Sequence, residues 1–238
     1  MFQNFEVLSS PDQAAGRVAR LRAGFAEMGV DAVAVPRSDE YLGEYVPACA
    51  ERLAWLTGYT GSAGLVLVLA GKAHIFVDGR YTNQVRAQTD REVFDYQNSV
   101  TTPLATFLQS SGLSGLRLGI DPWTWPSSEV TRLETALDAL GGQLVFLERN
   151  PVDQIWDQQP QPPLGSVSLQ PLELAGTLSR DKLAMIAETV SAGGADAVIL
   201  ADPSSVAWVF NIRGEDLPST PHPLSRAIIP AGGRPQLF

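Results

Sequence analysis

The amino-acid sequence predicts an α/β protein of two tandem domains, each a mixed β-sheet flanked by helices, the second one truncated. Three observations carry this prediction. Strands alternate with helices from residue 12 to residue 147, with one β-hairpin among them. A proline-rich stretch follows, and beyond it a second helix and strand begin. The second beginning repeats the first in the same order.

The first domain opens with a helical pattern over residues 12–28, where apolar residues recur every three or four positions. They are Val18, Leu21, Phe25 and Met28. Gly29 predicts the end of this helix. A short apolar strand over 31–35 follows, whereas residues 51–57 fit either a helical turn or a buried strand.

Two apolar runs around Gly71 predict a β-hairpin with strands over 65–69 and 73–78. The first of these strands is continuously apolar, which predicts a central position in the sheet. The rest of the domain alternates between the two kinds of element. We expect helices over 80–89, 102–111 and 127–140, and strands over 93–97, 117–120 and 143–147.

Prolines interrupt any regular element between residues 150 and 171, which predicts an inter-domain linker. The predicted division is therefore a first domain over 1–155, a linker over 156–172 and a second domain over 173–238. In the second domain Ser179 is expected to be the N-cap of a helix that runs to about residue 192. A strand over 196–200 follows that helix.

The repeat appears as two matched segments. Residues 30–35 align with 195–200 at an offset of 165 residues, and 54–56 align with 207–209 at an offset of 153, so the first copy is longer by 12 residues. In this alignment, residues 236–238 match the start of the second hairpin strand of the first copy. We therefore expect the chain to be a piece of a longer protein.

Composition narrows the function. The 17 basic and 26 acidic residues give a net charge of −9, which disfavours nucleic acid and anionic membranes as partners. Neither a leader-like amino terminus nor an apolar run of about 18 residues occurs, so a cytoplasmic protein is expected. Cys49 is the only cysteine, which excludes an internal disulfide and a cysteine-rich metal site.

Most residues able to do chemistry fit ordinary structural roles. We interpret His74 as an edge or surface histidine, His222 as a loop histidine and Cys49 as a small buried side chain. The glycines at 58, 61 and 64 match no phosphate-loop spacing and indicate a tight loop. The remaining candidates are interpreted as solvated acids and as packing at a helix entrance. The acids are Asp39, Glu40, Glu44, Glu215 and Asp216, and the packing residues are Trp123 and Trp125.

Arg80 is different, because it follows a predicted buried strand and a glycine. A guanidinium at that position could present its planar fork to a substrate carboxylate. It could equally form a structural salt bridge, for instance to Asp78. The residues alone leave both interpretations open.

Five segments closely resemble the three-domain, cytosolic-type Xaa-Pro aminopeptidases (aminopeptidase P). Three lie in the first domain, at 38–49, 56–64 and 77–81, and the last of these reads VDGRY. The segment 150–156, NPVDQIW, is similar to that family's junction between domains, and 207–214, AWVFNIRG, to its second-domain signature. The resemblance covers essentially the whole chain in order.

The resemblance implies two creatinase-type N-terminal domains that precede a catalytic metallopeptidase domain. That domain would hold two divalent metal ions, usually Mn²⁺, and a bridging water as nucleophile. None of its metal ligands or catalytic residues has a matching position here, so the chain alone is expected to be inactive and free of metal. The resemblance also implies a homodimer, short Xaa-Pro peptides as substrates, and a substrate-holding role for Arg80.

Two alternatives stay open at this level. The chain could be a stand-alone binding or assembly module without catalysis, or the N-terminal part of another creatinase-superfamily hydrolase. The DGRY and GSAG motifs in a tandem arrangement favour the peptidase.

Overall fold

The computed structural model describes residues 9–218 and 220–238, so the first eight residues of the predicted first domain lie outside it. The chain forms two compact units. The first comprises the residues up to Glu44 and Ala48–Pro160, and the second comprises Tyr45–Pro47 and Gln161–Phe238. Each unit is a mixed arrangement of strands and helices, as the sequence predicts.

The first unit contains six helices and six strands, counted over its described residues. The helices are α1 Ala14–Ala23, α2 Phe25–Met28, α3 Arg52–Thr57, α4 Thr82–Gln88, α5 Leu104–Ser110 and α6 Ser127–Asp138. The strands are β1 Ala32–Pro36, β2 Leu65–Leu69, β3 Ala73–Val77, β4 Phe94–Asn98, β5 Arg117–Ile120 and β6 Gln143–Phe146. Every strand predicted for this unit is present, and residues 51–57 resolve as the helix α3.

The six strands form one mixed sheet in the order β4-β3-β2-β1-β5-β6. Strand β2 is antiparallel to both β1 and β3, whereas the other neighbouring pairs are parallel. The predicted hairpin is β2 and β3, and β2 lies inside the sheet as its apolar run predicts. Strands covered on both faces have no solvated side, so their residues are apolar at successive positions rather than at alternate ones.

Each face of this sheet has its own core. Val66 and Val68 of β2 pack with residues of α1 and α3 on one face. Leu67 points to the opposite face, where it packs with residues of α5 and α6. All three β2 side chains are fully buried. The helices on both faces therefore hold the hairpin firmly, and the site described below lies directly after its second strand.

The helix predicted over 12–28 is divided at Gly24. A 3₁₀ turn at Pro11–Gln13 precedes α1, and α2 begins only after Gly24. Glycine has a low helix propensity, which explains why the apolar periodicity continues across a break in the helix. Gly29 ends α2, as predicted, and it does so in the left-handed conformation with φ of 68°.

The second unit contains three helices and five strands, counted over its described residues. The helices are α7 Leu172–Ala175, α8 Ser179–Ala192 and α9 Pro203–Phe210. The strands are β7 Val167–Leu169, β8 Ala197–Leu200, β9 Ile212–Gly214, β10 Ala227–Pro230 and β11 Gln236–Leu237. Strands β8, β10 and β11 form an antiparallel sheet in the order β11-β10-β8, and β7 pairs with β9.

Two predictions for this unit are wrong. The proline-rich stretch was predicted to contain no regular element, yet β7 forms there, because Ser166–Gln170 is free of proline and its backbone pairs with β9. Ser179 is the first residue of α8 rather than its N-cap. Leu178 occupies the N-cap position, in an extended conformation and without a side-chain cap.

A buried lysine organises the second unit. Lys182 on α8 is 2% exposed, and its Nζ donates to the carbonyl oxygen of Trp208 and to Oδ1 of Asn211, both at 2.7 Å. Asn211 is the residue that ends α9, with φ of 52°. The Lys182 ammonium therefore supplies a hydrogen bond to a backbone carbonyl that the end of this helix leaves unpaired. Burial lowers the pKa of Lys182.

Candidate functional site

The candidate site begins at the last residue of the β2–β3 hairpin. Asp78 follows β3 in an extended conformation and is the N-cap of a 3₁₀ turn at Gly79–Tyr81, which leads directly into α4. Aspartate is a favoured residue at such a position, because its carboxylate accepts a backbone N–H that the turn leaves unpaired. Here that N–H belongs to Arg80, which lies 2.9 Å from Oδ1 of Asp78.

Arg80 and Asp78 form a two-point ion pair. Nε of Arg80 donates to Oδ1 of Asp78 at 3.0 Å, and Nη2 donates to Oδ2 at 2.8 Å. The Arg80 side chain is 70% exposed and that of Asp78 is 21% exposed. Within residues 9–218 and 220–238, Nη1 has no hydrogen-bond partner. The salt bridge to Asp78 is thus present, and it leaves one edge of the guanidinium open.

Each partner favours the charged form of the other. Hydrogen bonds from the side chain and then the backbone of Arg80 lower the pKa of Asp78. The hydrogen bond to Asp78 raises the pKa of Arg80. Both groups are therefore ionised throughout the neutral range, and the exposed edge of Arg80 is a permanent cation.

Two tyrosines and a serine support the arginine. The guanidinium carbon lies 5.0 Å from the ring centre of Tyr81, within the range of a cation–π contact. The hydroxyl of Tyr81 is 2.5 Å from Oγ of Ser62, and its ring meets Tyr59 edge-on, with centroids 6.0 Å apart. Tyr59 is 1% exposed and donates from its hydroxyl to the carbonyl oxygen of Ala63.

The glycine-rich segment at 58–64 is a tight loop, as predicted, and it packs around Tyr59. A Cβ at Gly61 would lie 1.9 Å from the Tyr59 hydroxyl, and one at Gly64 would lie 3.0 Å from the carbonyl oxygen of Phe76 on β3. These approaches need glycine. The loop therefore fixes Tyr59 and Ser62 beside the turn that carries Arg80.

His74 is neither at an edge nor on the surface, so that interpretation is wrong. It lies on β3, which has β4 on one side and β2 on the other, and its side chain is 13% exposed. The ring packs against Phe107, with centroids 4.8 Å apart. Burial lowers the pKa of His74. His222 is half-buried in a loop of the second unit, as predicted.

The acidic residues divide into exposed and structural ones. Glu40, Glu44 and Glu215 are exposed, in agreement with the prediction. Asp39 was predicted to be solvated but is 1% exposed, because its Oδ1 accepts the N–H groups of Tyr41 and Gly43 and so closes a turn. Burial raises its pKa. Asp216 likewise joins two backbone segments through N–H groups of Gly165 and Leu224.

The remaining candidates have structural surroundings. Both tryptophans lie before α6, at its entrance as predicted; Trp125 is buried in the core, whereas Trp123 is 66% exposed. Cys49 is half-buried rather than fully buried, and burial raises the pKa of its thiol, which disfavours the nucleophilic thiolate.

No cluster of three or more histidine, cysteine, aspartate or glutamate side chains suited to a metal ion occurs within 9–218 and 220–238. The residues present do not fit the metal pair that the family resemblance implies. Among those same residues, every helix is too short or too polar to cross a membrane.

Comparison with known families assigns both units to one group. Residues 17–148 and residues 158–238 each match a model of the creatinase/prolidase N-terminal domain. The chain belongs to this family. It carries two such domains in tandem, as the internal repeat predicts.

Relatives of this creatinase/prolidase N-terminal chain include probable Xaa-Pro aminopeptidases P. The protein from Ajellomyces dermatitidis is 32% identical over 224 residues, which is 92% of this chain and 36% of that protein. The protein from Talaromyces stipitatus is 32% identical over 90% of this chain and 33% of its own length. The chain thus spans about a third of these relatives.

One solved structure matches most of this creatinase/prolidase N-terminal chain. It is the X-prolyl aminopeptidase of Caenorhabditis elegans, described as a cytosolic enzyme with a di-nuclear active site. The match has a TM-score of 0.87 and 25% identity, and covers 94% of this chain and 39% of that one.

Sequence reasoning found Arg80 and its salt-bridge partner but missed their support. Ser62 and Tyr81 lie 19 residues apart, and no spacing rule joins them. Lys182 was also missed, because a lysine on a helix is usually an exposed residue. The glycines at 58, 61 and 64 were the sequence signal that could have indicated the contact of Ser62 with Tyr81. A tight loop beside a strand end brings the side chains of the loop to that end.

Proposed function

We propose that the chain is the non-catalytic N-terminal part of a metal-dependent Xaa-Pro aminopeptidase, which removes the first residue from peptides with proline in second position. The observation that carries this proposal is its similarity, over nine-tenths of the chain, to relatives named Xaa-Pro aminopeptidase P. The two domains would shape substrate access and assembly, and the chain alone would be inactive.

The rest of the proposal concerns the whole protein. Its two divalent metal ions, Mn²⁺ in our proposal, would lie in a catalytic domain outside this sequence. We place the enzyme in the cytoplasm as a homodimer. Within the chain we divide a first domain over 1–155 from a second over 173–238, with a linker over 156–172.

Arg80 is the substrate-binding residue of this proposal. Its free Nη1 edge is exposed and permanently charged, and an arginine fork suits a carboxylate or carbonyl oxygen. A short peptide offers such an oxygen on the carboxyl side of its scissile bond. Holding that end would orient the peptide and favour short peptides over long chains.

The test is Arg80→Ala in the full-length protein, assayed on short and long Xaa-Pro peptides. We expect kcat/KM on short peptides to fall roughly tenfold to a hundredfold, the range for a lost charge-assisted hydrogen bond, with metal content unchanged. Arg117→Ala is the matched control, since Arg117 forms a similar two-point pair with Asp31. Wild-type efficiency on both peptide lengths would contradict the role of Arg80.

A second test addresses the division of labour between this chain and the rest of the protein. Calorimetric titration of the 238-residue chain with Mn²⁺ should show no stoichiometric binding. The full-length protein should bind two ions per subunit in the same buffer. Stoichiometric binding to the isolated chain would contradict the placement of the metal pair outside it.

A further inference from the structure

We infer that Asp78 is a positioning residue for Arg80, which directs the edge formed by Nη1 and Nη2 toward an oxygen acceptor of the substrate peptide. The inference rests on the proposed function, because it needs Arg80 to contact substrate. It adds a residue whose own side chain touches neither substrate nor metal.

The geometry of the guanidinium supports this assignment. The group is planar and offers two edges for two-point hydrogen bonding, one formed by Nε with one terminal nitrogen and one formed by the two terminal nitrogens. Asp78 occupies the edge formed by Nε and Nη2. The edge formed by Nη1 and the second hydrogen of Nη2 is the one left for a ligand.

Asp78 also fixes the backbone that carries this side chain. Oδ1 of Asp78 accepts hydrogen bonds from both Nε and the backbone N–H of Arg80. Main chain and guanidinium are thus tied to one carboxylate, so few side-chain conformations of Arg80 keep both contacts. The open edge therefore has a set direction before any ligand arrives.

The face of the guanidinium is positioned separately. Tyr81 lies beneath it, and the Tyr81 hydroxyl is held by Ser62. Tyr81 is in turn placed by the edge-on contact with the buried Tyr59. The contact with Tyr81 fixes the plane of the guanidinium. The hydrogen bonds to Asp78 fix how the group is rotated within that plane.

A similar ion pair elsewhere in the first unit serves as an internal control. Asp31 accepts the backbone N–H and Nε of Arg117 at 3.0 Å each and its Nη2 at 2.7 Å. Asp31 precedes β1 and Asp78 follows β3, and these two strands run in the same direction. The two ion pairs therefore lie at opposite strand ends of the sheet. A purely structural effect should be alike at both pairs.

The kinetic test compares Asp78→Asn, Arg80→Ala and the double variant in the full-length enzyme, with Asp31→Asn as control. Asparagine is as good an N-cap as aspartate, so the turn is retained while the charge is lost. We expect Asp78→Asn to raise KM about tenfold and to change kcat less than twofold. In the Arg80→Ala background it should change kcat/KM less than twofold, because the group it positions is absent.

Three kinetic results would overturn the inference. They are a wild-type KM in Asp78→Asn, the same tenfold loss when Arg80 is already alanine, and an equal rise of KM in Asp31→Asn. The last would mean that breaking any such pair perturbs the protein in a general way.

A spectroscopic readout separates this inference from the proposed function. In ¹⁵N spectra of the wild-type full-length protein, the Nε–H of Arg80 should exchange slowly with solvent, and Asp78→Asn should accelerate that exchange at least tenfold. Equal exchange rates would refute the positioning role. If the wild-type enzyme cleaves no Xaa-Pro peptide, the proposed function fails, and this spectrum still decides whether Asp78 holds Arg80.

Discussion

Helices α3 and α9 occupy equivalent places in the internal repeat but are held in different ways. Both carry an Ala-Trp pair followed by an aliphatic residue, and both end in a left-handed residue. At the end of α3 that residue is Gly58, with φ of 84°, packed so closely that a Cβ would lie 2.8 Å from the carbonyl oxygen of Gln88. At the end of α9 it is Asn211, whose side chain accepts from Lys182 and donates to Thr177.

The tryptophans differ in the same sense. Trp55 on α3 stacks on Trp156, with ring centroids 5.1 Å apart, whereas Trp208 on α9 is 54% exposed and lies over the Lys182 ammonium, 4.2 Å away. The first copy ends its helix by close packing and the second by a buried polar network. A shared sequence pattern thus determines where a helix lies, while the neighbouring residues determine what stabilises its end.

Replacement of the buried lysine should have the largest effect on this comparison. Lys182→Ala leaves the carbonyl of Trp208 and Oδ1 of Asn211 without their donor and opens a cavity. We therefore expect the free energy of unfolding to fall by about 3 kcal/mol. Lys182→Met fills the space and should recover part of the stability that Lys182→Ala loses. Hydrogen exchange over α9 measures the effect. Unchanged exchange in Lys182→Ala would show that α9 does not need the network.

Swapping the residue types that end α3 and α9 should lower the free energy of unfolding less than Lys182→Ala does, and by unequal amounts at the two positions. Asparagine tolerates the positive φ of Gly58, but its Cβ would clash with Gln88 and Ser9. Gly58→Asn should therefore lower the free energy of unfolding by about 2 kcal/mol. Asn211→Gly suits the backbone at φ of 52° but removes a partner of Lys182, and should cost about 1 kcal/mol. Denaturant unfolding measures both. Equal costs would mean that the two ends are interchangeable.

Acid should act on the starts of the two helices with opposite sign. Burial opposes ionisation of Asp202, the N-cap of α9, but hydrogen bonds from Ser204 and Ser205 lower its pKa to about 2, below its ordinary value of 3.8. Its contribution is therefore complete above about pH 4 and is lost as the pH falls toward 2. At α3, burial raises the pKa of Glu51 despite Arg37, so protonation of Glu51 on acidification favours the folded state.

Hydrogen exchange of α3 and α9 between pH 5 and pH 2, corrected for the intrinsic exchange rate, would measure these effects. Asp202→Asn and Glu51→Gln are the matched controls, since each removes one titration. The same direction of change in both helices would contradict the assignment. This effect should be the smallest of the three, because each group contributes through a single carboxyl.

The sequence predicted the elements of the first unit well because both faces of its sheet are apolar. The runs at 32–35 and 65–69 are continuous for that reason, and the helices packed on the sheet bury their apolar residues on one side. Predictions made from residue type in loops and near element ends were less accurate. Asp39 is buried by a turn, and Ser179 lies one position inside its helix.

The candidate site was only partly predictable for a related reason. Asp78 and Arg80 are two residues apart, so their pairing follows from local geometry and was considered from sequence alone. The contact of Ser62 with Tyr81 depends on how a glycine loop folds back against a strand end. Such a contact follows from backbone conformation, which the residue types constrain without specifying.

The short spacing of Asp78 and Arg80 also matters for the entropy of association. A free arginine side chain carries about 2 kcal/mol of rotamer entropy, which a ligand has to remove on binding. In this protein much of that ordering is completed when the β2–β3 hairpin and its turn form. A ligand that occupies the open edge of Arg80 therefore meets a side chain that has already lost much of its torsional freedom.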